Sequence, residues 1–229
     1  MSKNKRKGRK RKARKSRILL LLLSVVIILA AVFLALYELN IIPHPYYTNE
    51  DFGIADYISE NDQDGDGIDD QTDMLQGVRD YIATKPKYKS VYYNSGYPDD
   101  EYGVCTDVVA QGMLAAGYDL MALVNRDIVN NPSEYNIEKP DINIDFRRVR
   151  NLNVYFRRHA VSLTTDINEI EEWQGGDIIV FKKHIGIISD RRNADGIPLM
   201  IHHSNPSQVH YEQDKLADRD DIIGHYRIS

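Results

Sequence analysis

The chain has one cysteine, Cys105, in the stretch GYPDDEYGVCTDVVAQGMLAAG, residues 96–117. There a loop punctuated by glycine and proline gives way to a predicted helix ending near Gly117. Val108, Val109, Gly112 and Met113 follow the cysteine at three, four, seven and eight residues, so its sulfur lies at the first turn on the core-facing stripe. A helix start offers unpaired N–H groups and a partial positive charge, which favour a thiolate and lower the thiol pKa. Asp107 opposes this through its charge, although its side chain is expected to point away from the sulfur, two residues round the helix. These facts alone also suit a small buried hydrophobe.

Two histidines lie in KKHIGIISDRRNADGIPLMIHHS, which reads as two strands joined by a polar turn. A hairpin centred on Asn193 sets His184 opposite His202, Gly186 opposite Met200 and Ile188 opposite Pro198. Opposed residues share a sheet face. His203 then points to the other face, and a one-residue slip exchanges the two. A thiol with two imidazoles supports acyl transfer. The sulfur attacks a carbonyl, one histidine carries the proton to the leaving amine, and a further polar group fixes that histidine's tautomer. Backbone N–H groups at the helix start can hold the oxyanion. A Cys/His zinc site needs three or four suitably spaced ligands, which His202-His203 does not obviously supply.

A second constellation is DQDGDGIDDQTD, residues 62–73. It places oxygen ligands at Asp62, Asp64, Asp66, the backbone of Ile68, Asp70 and Asp73, with Gly67 at the sixth position, where the chain turns sharply. That is the spacing of a twelve-residue calcium loop, with Asp in place of the usual final Glu. The alternative is a solvated acidic turn. A structural Ca2+ is the expected cofactor, and none is expected for catalysis. Arg147, Arg148, Arg150, Arg157 and Arg158 concentrate in DFRRVRNLNVYFRRH, a candidate helix with a charged face. Arg147 or Arg148 is a candidate for gripping a substrate carboxylate or phosphate, and Tyr97, or else Tyr102, for lining a cleft near the thiol.

These residues need a scaffold, and the chain divides sharply in charge and hydropathy. Residues 1–17 hold 11 Lys/Arg and no acid, leaving 18 basic against 34 acidic residues beyond them. Between lies ILLLLLSVVIILAAVFLALY, Ile18 to Tyr37, twenty uncharged residues. A helix of that length spans about 30 Å, a bilayer's hydrocarbon core. It reads as an uncleaved signal-anchor, because a cleavable signal peptide has a shorter apolar region and a small-residue cleavage site. The tail leading straight into it argues against a nucleic-acid-binding arm. The positive-inside rule keeps the tail in the cytoplasm and sends the rest outside, where a lone cysteine is not the usual paired staple.

The expected organisation is a tail (1–17), a single-pass span (18–37), a linker (38–50) and an extracytoplasmic domain (51–229). Its elements are a possible short helix at DFGIADYI, a helix at MLQGVRDYIAT stopped by Lys85-Pro86, the Cys105 helix, an irregular stretch at 132–145, and a helix at VRNLNVYFRRH. From Gly175 the pattern turns to strands: DIIVF, HIGIIS, PLMIHH and IIGHYRI. Helices first and strands later predict an α+β domain with helices packed on an antiparallel sheet.

The helix-start cysteine, then GDIIVFKKHIGIISD, then LMIHHS resembles the NlpC/P60 cysteine peptidases of the papain-like group. A more specific resemblance is to DUF1287, carried by GYPDDEYGVCTDVV, PDINIDFRRVRNL, GGDIIVF, HIGIISD, IHH and GHYRI across residues 75–229. It implies a papain-like fold with Cys105 as nucleophile, His184 as base and His202 as the orienting third residue, a position for which His203 and Asn205 stay open. The activity implied is an amidase or endopeptidase acting on peptidoglycan peptides, in a setting that suits a Gram-positive bacterium. Two other functions keep the same scaffold: a non-catalytic wall-binding or scaffolding module, and a thiol acyltransferase acting on lipid. No nucleic-acid partner is expected, and the residues name no protein partner.

Overall fold

The computed structural model describes residues 3–39, 41–42 and 44–228. The chain forms two compact units, Met1–Pro43 and His44–Ser229. The first is one helix, α1 (Lys3–Glu38), which continues through the basic tail. Its segment Arg14–Glu38 reaches a mean hydropathy of 3.3 with none of that stretch buried, so it is long and apolar enough to cross a membrane.

The second unit starts earlier than residue 51. Tyr47 and Arg192 exchange backbone hydrogen bonds of 2.8 Å in an isolated bridge. Buried Asn49 donates to Asp56 and Gln174 and accepts from Arg192. The last part of the expected linker is therefore built into the domain. The possible helix at DFGIADYI is replaced by a single 3-10 turn, Glu50–Phe52.

Helices α2 (Asp70–Ala83) and α3 (Cys105–Ala115) follow, joined through a loop that contains a short parallel pair, β1 (Lys87–Tyr88) and β2 (Tyr102–Gly103). Asp69 caps α2 by accepting the Thr72 amide. The two helices pack against each other with little between them: a Cβ on Gly112 would lie 2.6 Å from Val78 Cγ2 and 3.1 Å from the Met74 carbonyl oxygen. Val108, Val109 and Met113 of α3 are buried, as the spacing predicted. Helix α4 (Leu120–Asn130) is an element the sequence pattern did not announce. The expected irregular stretch contains two short helices, α5 (Pro132–Tyr135) and α6 (Ile142–Asp145), before α7 (Val149–His159).

The sheet has six strands: β3 (Val161–Ser162), β4 (Ile178–Phe181), β5 (His184–Arg192), β6 (Pro198–Ile201), β7 (Glu212–Gln213) and β8 (Ile222–Arg227). Their order is β3-β8-β4-β5-β6-β7, with every pairing antiparallel. Alternation splits the strands between two cores. Ile178, Val180, Ile185, Ile187 and Ile201 join the helices in the larger one. Ile179, Phe181, Ile188 and Met200 turn to the other face and surround Trp173. The mixed α+β expectation, with helices against an antiparallel sheet, describes this unit.

Candidate active site

Cys105 opens α3, and what pins that helix start is an ion pair two residues on. Asp107 accepts the Val104 amide at 2.8 Å, closing the first turn. Its two oxygens also take the fork of Arg147, Nε at 2.6 Å and Nη2 at 2.8 Å. Arg147 Nη1 donates to the Val91 carbonyl at 2.6 Å. Both charged side chains are almost wholly buried, at 2% and 0% exposure. Arg147 thus turns inward and holds the cysteine-bearing turn, which corrects its expected role as a substrate grip. Arg148 is the exposed one, 3.5 Å from Asp145. Tyr97 packs at the start of α4, donating to Asp119 at 2.9 Å and lying 4.9 Å from the Phe146 ring, so its hydroxyl is used in the fold.

The histidines meet, though not in the expected register. Ile187 pairs with Ile201 and Ile188 with Met200, and an irregularity follows before Arg192 pairs with Pro198. The observed pairing differs from the predicted one by two residues. A two-residue shift preserves parity, so His184 and His202 keep a common face. His184 Nε2 lies 2.9 Å from His202 Nδ1. Gly186 makes this approach possible: a Cβ there would stand 2.8 Å from the Ile201 carbonyl oxygen and 3.2 Å from His202 Cβ. His203 points the other way, its ring edge-on to Tyr88 and Tyr211 and its Nδ1 buried without a partner. Asn205 is exposed and bonds Ser204 and Ser207. His202 is therefore the one of these three that touches His184.

A residue that the sequence pattern did not single out sets the protonation of this pair. Gln213, on β7, presents its side-chain oxygen 2.9 Å from His202 Nε2. That oxygen only accepts, so His202 carries its proton on Nε2 and leaves Nδ1 as an acceptor. His184 then donates from Nε2, which leaves its own Nδ1 unprotonated. No local signal marks Gln213, because its contact depends on the pairing of β6 with β7.

Burial dominates the electrostatics. It pushes the Cys105 thiol up to about 11; the backbone N–H groups of Ile185, Thr106 and Cys105 itself pull it back, and Asp107 adds to the rise. The expectation of a lowered thiol pKa is corrected here, because desolvation outweighs the helix-start amides. Burial also holds His184 down to about 4, with Arg219 adding to the fall, and His202 down to about 3, with His184 adding. The resting groups are a neutral thiol and neutral imidazoles. Among the described residues no hydrogen bond joins the thiol to His184. The sulfur faces the amide of Ile185, the next residue, whose side chain joins the helix-side core, while His184 pairs with Phe181 of the other face. Cys105 and His184 both keep some exposure, while His202 is buried.

The acidic loop stands outside this site. Oxygens of Asp62, Asp64 and Asp66 lie within 4.8 Å of one another, all on exposed residues. Asp73 sits buried nearby in the first turn of α2. Asp70 is turned away, accepting the Gln63 amide at 2.7 Å and the Tyr118 hydroxyl, which corrects its expected place among the ligands.

The sequence matches the Domain of unknown function (DUF1287) over residues 75–228. It is also 36% identical over 167 residues to the Uncharacterized protein YijF of Escherichia coli (strain K12), covering 67% of this chain and 80% of that protein. No solved structure matches significantly.

Proposed function

The chain belongs to the DUF1287 family, and we propose that it is a membrane-anchored, extracytoplasmic cysteine hydrolase of papain-like, NlpC/P60-type fold. Its substrate on this reading is an amide bond in the peptides of peptidoglycan. The observation that carries the reading is the relay Gln213–His202–His184, which leaves an unprotonated Nδ1 on the residue whose neighbour's amide faces the Cys105 sulfur. A thiol at a helix start followed along the chain by a histidine at the start of an antiparallel strand supports the papain-like architecture. The basic residues at the start of α1, ahead of its apolar stretch, support an outward domain.

On this reading the thiol proton moves to His184 Nδ1 as sulfur attacks the carbonyl carbon. The amides of Cys105 and Thr106, the first two of α3 and without intrahelical partners, receive the oxyanion. Collapse breaks the C–N bond, His184 returns the proton to the leaving amine, and water then hydrolyses the thioester with His184 again as base.

One observation favours a second reading, a non-catalytic binding module: the thiol is held protonated, at about 11. The two separate cleanly. Full-length protein in detergent micelles is incubated with purified sacculi beside Cys105→Ala and Gln213→Leu variants, and released fragments are identified by mass. Fragments that need Cys105, and that slow when Gln213 is replaced, support the hydrolase and name the bond. Retention on sacculi by all three proteins without any release rejects it in favour of the binder.

A further inference from the structure

A cavity of about 470 Å³ lies between α2 and the segments 56–58 and 174–175. None of its lining residues belongs to the site around Cys105. One wall is a stripe of α2, with Gln71, Leu75 and Arg79 at four-residue intervals. Each end of this stripe carries a buried polar atom without a partner. Gln71 is 2% exposed. Its side-chain nitrogen donates to the Gly175 carbonyl at 2.9 Å and to Asp177 at 2.8 Å, while its side-chain oxygen has no donor among the described residues. Arg79 donates through Nη1 and Nη2 to Asp190, Ser189 and Glu212, while its Nε has no acceptor among them. A buried donor or acceptor left unpaired is costly, so a ligand that supplies both partners removes two penalties.

Gln71 and Arg79 stand eight residues apart on α2, about 12 Å along the helix axis. An extended chain covers that distance in about four residues. The Gln71 end calls for a donor, and Asp56 belongs to the same end: Asp177 ties Gln71 to Gln174, and Asn49 ties Gln174 to Asp56. Among the described residues the Asp56 carboxylate accepts only from Asn49. The Arg79 end calls for an acceptor. Between the two, Leu75 and Ile58, which is 71% exposed, give an apolar middle. The wall opposite α2 suits a peptide in particular. The backbone N–H and C=O of Ile58 have no hydrogen-bond partner among the described residues, so they can pair with a chain as one strand pairs with another. We propose that this cavity binds an extended peptide, its ammonium terminus at Gln71 and Asp56 and a carbonyl at the Nε of Arg79. The site holds a peptide by residues other than those of the thiol site, and the inference stands whether or not Cys105 is a nucleophile.

The test uses the full-length chain in detergent micelles, carrying Cys105→Ala so that no turnover occurs, and titrates it with tetra-alanine. Calorimetry at two temperatures reads binding, and fluorescence of Trp173, the only tryptophan, reads melting. The expected result is one peptide per chain, saturating at millimolar peptide. Adding Arg79→Lys keeps a cation for Asp190 and Glu212 but removes the Nε–H, so it should weaken binding about three- to tenfold, the worth of one hydrogen bond. Its melting curve shows whether it is folded. Tetra-alanine acetylated at its amino terminus lacks the ammonium group and should bind at least about tenfold more weakly; this arm needs no further variant. The proposal is overturned by no binding at millimolar peptide, by undiminished binding in a folded Arg79→Lys chain, or by equal binding of the acetylated peptide. Tighter binding of the N-acetylglucosamine dimer than of tetra-alanine also overturns it, in favour of a sugar site.

Discussion

Replacing Arg147 with methionine tests whether this arginine holds the fold or a substrate. The change keeps the length and apolar stem of the side chain and removes its fork. In the native chain the fork spends two N–H groups on Asp107 and one on Val91, with Tyr93 beneath the guanidinium at 5.0 Å. Asp107 stays behind fully buried, with the Val104 amide as its remaining donor. An exposed pair would be worth about 0–1 kcal/mol. Breaking a buried pair by removing one partner costs about 3–5 kcal/mol, because the other charge is left uncompensated. Against a typical total of about 5–15 kcal/mol that is a large share. Denaturant unfolding followed by Trp173, which is wholly buried, measures the loss. Adding Asp107→Asn to Arg147→Met removes the stranded charge while keeping an acceptor for Val104, so the double variant should be more stable than Arg147→Met alone. Asp107 already raises the Cys105 pKa; freed of its partner, it should raise it further, read from the pH dependence of Cys105 alkylation. A variant within about 0.5 kcal/mol of wild type that loses substrate turnover would refute this reasoning and return Arg147 to the substrate.

Stability should fall on mild acidification. His184, His202 and His203 have folded pKa values held to about 4, 3 and 4, below the ordinary 6.5. The unfolded chain therefore binds more protons between about 6.5 and 4, and stability rises with pH across that window and is lost as pH drops through it. For the buried His202 and His203 the slope approaches about 1.4 kcal/mol per pH unit each. Unfolding midpoints from pH 7.5 to 5 check this, and His203→Gln should flatten the curve; an unchanged slope in that variant rules out His203 as a source. Gly186→Ala should cost about 1–3 kcal/mol, since the backbone oxygen of Ile201 cannot yield as a side chain would. It should also part His184 from His202, seen as lost tautomer order in nitrogen-15 spectra of the imidazoles. An alanine variant with native stability and spectra would refute the tight approach.

Much of the scaffold was legible because its signals are local. The apolar run, the stripe after Cys105 and the alternation in β4 to β6 each depend on residues a few positions apart. The hairpin shows how far such reasoning carries. Its register was displaced by two residues because the irregularity between Ile188 and Arg192 leaves no mark in composition, yet the two histidines still met, since parity survives an even shift. Arg147 was misassigned for the opposite reason. Its partner Asp107 is forty residues away, and only the packing of the chain decides whether a guanidinium faces water or the interior. Gln213 was invisible on the same ground, and α4 was missed as an amphipathic stretch between two turns.

The thiol shows the same divide at the level of one pKa. Sequence identifies the helix start, whose amides do lower the Cys105 pKa, but it does not reveal the density of atoms that raises it more. With the thiol near 11 and His184 near 4, proton transfer in the resting protein is uphill at about 1.4 kcal/mol per pKa unit of separation. Attraction between the resulting thiolate and imidazolium offsets part of that gap. A standing ion pair is therefore not the resting state of this site. If it is a hydrolase, the nucleophile forms as the bond to substrate forms, with the helix-start amides taking up the charge on the oxyanion. The buried relay through His202 and Gln213 then keeps the proton on Nε2 of His184, so that Nδ1 is free when the carbonyl arrives.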